Sequence, residues 1–113
     1  MKLVRLDEVI SEGLSHDADI LKSVLLSEND LPGSVRLSHA LFKPGQRASE
    51  HLHADLYEVF YLLGGSGVVI VEGESFALQQ GSCFRIDPEE RHELVNTGET
   101  NMTVLYFGLK EDQ

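Results

Sequence analysis

The sequence predicts an all-β protein, an antiparallel sandwich or barrel of about eight short strands. Its apolar segments are short and rich in β-branched and aromatic residues, and turn signals containing Gly, Pro, Asn or Asp separate them at nearly regular intervals. Only residues 7–20 have helical character, and Gly13 weakens it. We therefore predict one domain over residues 1–113, with an N-terminal extension at 1–19 and a β-barrel at 20–109.

The predicted strands are the segments between the turn signals. Two of them, Leu56–Leu63 and Val68–Val71, are almost continuously apolar, which is typical of strands with both faces covered. A compact hairpin at Gly73 joins the second of these to the next strand. The other predicted strands are Ile20–Ser27, Ser34–Phe42, Glu74–Leu78, Ser82–Ile86, His92–Asn96 and Met102–Leu109.

Composition limits the classes of function. The chain has 113 residues and a mass of 12.6 kDa, with 42% hydrophobic and 25% charged residues, as in a soluble globular domain. Its formal charge is -10 and its lysines and arginines form no cluster, so no nucleic-acid partner is expected. Apolar runs are far shorter than the roughly 20 residues that span a bilayer, and the N-terminus does not resemble a signal peptide. We therefore expect a cytoplasmic protein with no membrane partner.

The segment Glu50–Phe60 concentrates potential metal ligands. His51 and His53 are two residues apart, so in a strand both face the same way, roughly 7 Å apart. Glu58 is an odd number of residues from His53 and shares that face only if the chain turns or bulges between them. His92, after a proline-bearing turn, offers a third imidazole. Such a nitrogen and oxygen set suits Fe(II), Mn(II), Ni(II), Zn(II) or Cu(II) better than Ca(II) or Mg(II).

These residues belong to two segments that resemble the two motifs of the cupin superfamily. The segments are GQRASEHLHADLYEVFYLLGG at 45–65 and GSCFRIDPEERHELVN at 81–96. The matching positions are Gly45, His51, His53, Glu58 and Gly65 in the first motif, and Gly81, Pro88, His92 and Asn96 in the second. Asp87 and Glu89 stand where the strict pattern has proline and glycine, so we expect these two residues to affect the turn and not the ligand.

The resemblance implies a small single-domain cupin with a double-stranded β-helix (jelly-roll) barrel. It also implies one divalent transition metal per chain, and either a turn role or a role beside the ligands for Asn96. The implied ligands are His51, His53, Glu58 and His92. From the strand pattern, the residues expected to line the pocket are His39, Phe60, Leu62, Phe84, Leu94 and Tyr106.

Two functions from different classes remain open. A metal with open positions can activate dioxygen or polarise a carbonyl, and the resemblance implies a dioxygenase or an isomerase or lyase of small oxygenated molecules. The alternative is a non-catalytic module that binds or senses a small ligand at its metal. A purely structural metal fits less well, because structural sites tend to be closed and rich in cysteine. We prefer the enzyme. We also expect a homodimer, since pairing would cover exposed strand edges.

Overall fold

The structure is a computed structural model that describes residues 1–15 and 17–110, with the side chain of His51 outside the description. The described residues form ten β-strands and one short 3-10 helix, Leu6–Glu8. The strands are β1 (Glu12–Gly13), β2 (Leu21–Leu26), β3 (Ser34–Phe42), β4 (Arg47–His51), β5 (Leu56–Gly64), β6 (Ser66–Val71), β7 (Glu74–Gln79), β8 (Cys83–Ile86), β9 (His92–Val95) and β10 (Met102–Lys110). The prediction of an all-β fold is confirmed.

The strands form two antiparallel sheets. The six-stranded sheet has the order β1-β2-β3-β10-β5-β8, and the four-stranded sheet has the order β4-β9-β6-β7. Side chains from both sheets form one hydrophobic core, because successive residues of a strand point to opposite faces and each sheet turns an apolar face inward. The most deeply buried members of this core are Ile20, Ala40, Phe42, Leu62, Met102 and Val104.

The buried face of β3 is not the face that carries His39, contrary to the expectation from the sequence. Ser38, Ala40 and Phe42 are the buried residues of this strand, whereas Leu37 and His39 alternate with them and are only partly buried. The expectation that His39 lines the pocket is therefore wrong. Both faces of β3 carry apolar residues, so alternation alone predicts two opposed faces without showing which one faces the core.

The N-terminal extension packs against the barrel. In β1, Glu12 pairs with Lys22 and Gly13 with Leu21, which adds a short edge strand to the six-stranded sheet. The turn that follows is tight: a Cβ on Gly13 would lie 2.6 Å from the carbonyl oxygen of Ala18. The side chain of Asp17 accepts hydrogen bonds from the Ser49 backbone N–H at 2.9 Å and from the Ser49 hydroxyl at 2.8 Å. These contacts hold the extension against β4.

Within the described residues, none of the helical structure is long or apolar enough to cross a membrane.

Candidate functional site

A cavity of about 190 Å³ lies between the two sheets. Both sheets and the N-terminal extension contribute to its lining, and this volume is below the roughly 300–1,000 Å³ of pockets that hold drug-sized molecules. Its apolar wall includes Phe42, Phe60, Leu94 and Val104. A cavity of this size and lining suits a small molecule.

Glu58 is the central polar residue of the cavity wall. It lies on the inner face of β5, where it is 9% exposed. Its Oε1 atom is 3.1 Å from Nε2 of His92 and 3.5 Å from Nε2 of His53. The structure therefore brings three of the four predicted ligands together around one carboxylate oxygen.

The chain reverses between the two halves of the first motif, as the spacing of His53 and Glu58 requires. β4 ends at His51 in the four-stranded sheet, and β5 begins at Leu56 in the six-stranded sheet. Residues 52–55 cross from one sheet to the other. This crossing allows two residues at an odd spacing to face the same cavity.

The turn of the second motif, just before β9, contacts the backbone of His53. Glu89 adopts a φ of 67°, in the left-handed region that glycine enters without cost. Its backbone N–H donates to the carbonyl oxygen of His53 at 2.6 Å. Glu89 therefore takes the backbone conformation that fits the glycine of the strict motif, and the turn still contacts the backbone beside a predicted ligand.

His92 is held in one tautomer and one orientation. Its residue is 3% exposed, and Nδ1 lies 3.0 Å from the carbonyl oxygen of Glu90, which can only accept a hydrogen bond. Nδ1 therefore carries a proton, and Nε2 faces the Glu58 carboxylate. Burial lowers the pKa of His92, but the hydrogen bonds to Glu58 and Glu90 and the charges of both outweigh it, so the pKa is raised overall.

The fourth predicted ligand, His51, is described only by its backbone. Its Cα is paired with that of His92 across β4 and β9, after a register shift between Ala48 and His51. Among the described side chains, no group of three or more His, Cys, Asp or Glu residues is arranged to hold a metal ion. The ring centroids of His53 and His92 are 6.3 Å apart.

The predicted pocket residues divide into two groups. Phe60, Leu94 and Tyr106 line the cavity. Leu62 is completely buried in the core, and Phe84 lies beside Phe60 on the neighbouring strand β8, with the two rings stacked at a centroid distance of 4.8 Å.

Sequence reasoning missed several polar lining residues. Lys22, Arg36 and Ser38 come from β2 and β3, and Asp17 comes from the N-terminal extension. The available signal was Lys22, a charged residue inside the mostly apolar run LKSVLL, whose side chain is 11% exposed.

Asn96 closes the turn after β9. It is fully buried, and its side-chain amide donates to the carbonyl oxygens of Phe42 and Thr100, both at 2.9 Å. Its Oδ1 accepts from the backbone N–H of Gly98 at 2.9 Å. These contacts give Asn96 a structural role in the turn.

Comparison with known proteins identifies the family. The family model of the cupin domain matches residues 38–108, a range that includes both motifs. The chain is a cupin. Among curated proteins, this cupin is 28% identical to an oxalate-binding protein from Thermotoga maritima, over 91% of this chain and 89% of that protein. It is also 31% identical to the tetracenomycin polyketide synthase protein TcmJ from Streptomyces glaucescens, over 62% of this chain and 47% of that protein.

Solved structures share the fold of this cupin. A predicted oxalate decarboxylase from Thermotoga maritima aligns with a TM-score of 0.90 and 24% identity, over 96% of this chain and 99% of the other. The polyketide cyclase RemF from Streptomyces resistomycificus aligns with a TM-score of 0.82 and 20% identity, over 96% of this chain and 79% of the other. Such alignments support the jelly-roll architecture across the whole barrel.

Proposed function

We propose that this cupin holds one divalent transition metal through His51, His53, Glu58 and His92, and that it is an enzyme acting on a small oxygenated molecule. The reaction would be of the dioxygenase or the isomerase or lyase type. One observation carries the proposal: a buried carboxylate oxygen of Glu58 lies within 3.5 Å of two imidazole nitrogens, on the wall of a largely apolar cavity.

The donor atoms fit such an ion. Because Nδ1 of His92 carries a proton, the lone pair on Nε2 of the neutral ring faces a carboxylate oxygen 3.1 Å away. A cation bound by both atoms would replace this repulsion with attraction. In metal-free protein, a proton on Nε2 has the same effect. Imidazole and carboxylate donors together favour a transition metal over Ca(II) or Mg(II). The pairing of His51 with His92 supports including His51 in the set.

The protein itself would orient the donors and limit the access of water. The carbonyl of Glu90 fixes the His92 ring, and the N–H of Glu89 holds the backbone of His53. Phe60 and Leu94 present apolar surface to the substrate. A bound metal would supply Lewis acidity or, if redox-active, dioxygen activation.

A non-catalytic small-ligand-binding or sensing module is the second candidate. It is favoured by the 28% identity to a protein named for binding oxalate. Dioxygen consumption or substrate turnover by metal-loaded protein distinguishes the enzyme from this module. Saturable ligand binding without product formation would favour the module.

We also propose that two copies of the chain pair in the cytoplasm through the outer face of the six-stranded sheet. This outer apolar face consists of Leu21, Leu41, Val59, Tyr61, Leu105 and Phe107. Its residues are neighbours in the register: Leu21 pairs with Leu41, and Leu105 pairs with Tyr61. Leu21 is 45% and Tyr61 44% exposed, so a second copy would remove apolar surface from water.

Elemental analysis tests the metal proposal. Untagged wild-type protein, purified without chelators, is expected to contain about one transition-metal ion per chain, because the ligands are carried by the fold. His53→Ala and His92→Ala should lose most of it, whereas His39→Ala, which changes a histidine outside the cavity, should retain it. Circular dichroism confirms that each variant is folded. Full metal content in the first two variants, or no uptake by the wild type on titration, contradicts the proposal.

A further inference from the structure

Lys22 is a buried cation in the lining of the cavity. It lies opposite Ala40 on β3, a residue that is 1% exposed on the inner face of the sheet. The whole residue is 9% exposed. A charged side chain with so little exposure is stabilised by close opposite charge.

The compensation that the described residues provide is weak. Among them, the carboxylate within 4.0 Å of the ammonium is that of Glu12, at 3.9 Å, which is longer than the roughly 2.7–2.9 Å of a charge-assisted hydrogen bond. The side chain of Glu12 is also 59% exposed, so water screens its charge. Lys22 therefore retains capacity for a second anionic partner.

The charge balance of the cavity points the same way. Among the described lining residues, Lys22 and Arg36 are positive, and Asp17 and Glu58 are negative, so their formal charges cancel when the histidines are neutral. A divalent metal at Glu58 would leave the cavity with an excess of two positive charges. An anionic ligand restores neutrality, although the protein as a whole has a formal charge of -10.

Hydroxyl groups in the same cavity lining add hydrogen-bonding capacity. Ser38 and Tyr106 belong to the same lining. Burial raises the pKa of Tyr106, against an opposing effect of the Ser38 hydroxyl, so the phenol keeps its proton at neutral pH and can donate it. Lys22, Ser38 and Tyr106 therefore offer an ammonium group and two hydroxyls from which a carboxylate can accept hydrogen bonds. Arg36 adds a guanidinium to the same lining.

We propose that Lys22 selects a small carboxylate-bearing anion as the ligand of this cavity by binding the carboxylate directly. This inference rests on the proposed function in one respect only: the metal adds to the positive charge that the anion neutralises. Lys22 is thus a specificity-determining residue that acts as a fixed cation and not as a metal ligand.

Calorimetric titration of zinc-loaded and metal-free protein with malonate and succinate, and with their neutral diamides, tests this assignment. The wild type should bind a dicarboxylate in preference to its diamide. Lys22→Met should weaken dicarboxylate binding roughly 10- to 100-fold, the loss expected for a hydrogen bond to a charged group. Lys43→Met removes an exposed lysine from the turn after β3 and should leave the affinity unchanged. Equal dicarboxylate affinity in the wild type and Lys22→Met overturns the assignment, as does equal binding of diamides and dicarboxylates.

A second variant keeps the test independent of the folding of Lys22→Met. Glu12→Gln removes the exposed carboxylate nearest to Lys22 and should leave dicarboxylate binding at least as tight as in the wild type; weaker binding overturns the assignment. Tighter binding of inorganic phosphate than of either dicarboxylate overturns the choice of carboxylate.

Metal content, measured in parallel, separates this inference from the proposed function. Lys22-dependent anion binding by a wild type that takes up no metal supports the anion site and refutes the metal. Metal uptake by a wild type that binds dicarboxylates and diamides equally supports the metal and refutes the anion site.

Discussion

Asn96 provides a sharp test of how the barrel holds the second motif. Its side chain makes three hydrogen bonds, all to backbone groups: the carbonyls of Phe42 and Thr100 and the N–H of Gly98. Its backbone N–H also donates to Gln46, and its carbonyl accepts from the N–H of Gly45. The residue therefore connects the end of β9 to the turn before β4.

Asn96→Ala should be strongly destabilising. The substitution removes one buried hydrogen bond, to Phe42, and two part-buried ones, to Thr100 and Gly98. At about 1–1.5 kcal/mol for each, the total loss is about 3–4.5 kcal/mol. With an m-value of about 1.5 kcal/mol/M, the urea midpoint should fall by about 2–3 M. Since small domains have only about 5–15 kcal/mol of stability, much of the native margin would be lost.

Asn96→Asp separates hydrogen-bond polarity from volume. The substitution keeps the shape of the side chain and the acceptor for Gly98, but it places a carboxylate oxygen against two carbonyl oxygens that now receive amide protons. We expect this variant to be at least as unstable as Asn96→Ala at neutral pH, and to recover in part at acid pH, where a protonated carboxyl can donate once. A urea midpoint for Asn96→Asp within about 0.5 M of the wild type would refute the reasoning.

Two further predictions concern the outer face of the six-stranded sheet. Burial lowers the pKa of His39, against a smaller opposing effect of its own backbone, so the unfolded chain binds more protons than the native state below about pH 6.5. Urea midpoints should therefore fall more between pH 7.5 and 5.5 for the wild type than for His39→Gln; equal losses would contradict this. The raised pKa of His92 acts in the opposite direction, and comparison with the variant cancels it. For the proposed dimer, light scattering should give twice the 12.6 kDa chain mass for the wild type and one chain mass for Tyr61→Glu. Phe76→Glu, at an equally exposed aromatic residue of the other sheet, serves as the matched control. If the wild type keeps the mass of a single chain at high protein concentration, the dimer proposal is refuted.

The local pattern of the sequence was sufficient to predict the fold class. Turn signals between short β-branched and aromatic runs depend on backbone preferences of a few adjacent residues, and the two motif segments keep fixed intervals. The need for a reversal between His53 and Glu58 was also predictable, because strand alternation is a strict period of two. The structure places that reversal at residues 52–55.

The tertiary structure decided which face of each strand is inside. His39 and Ser38 are adjacent in a strand that is apolar on both faces, and only the pairing of β3 with β10 and its packing against the other sheet place Ser38 in the cavity and His39 outside. The cavity residues from the N-terminal extension and from β2 depend on contacts across long stretches of chain, such as the hydrogen bonds between Asp17 and Ser49. A buried lysine such as Lys22 is visible in the sequence as an exception, but its meaning depends on the sheet that surrounds it. Periodicity specifies that two faces exist, and packing determines which of them meets the ligand.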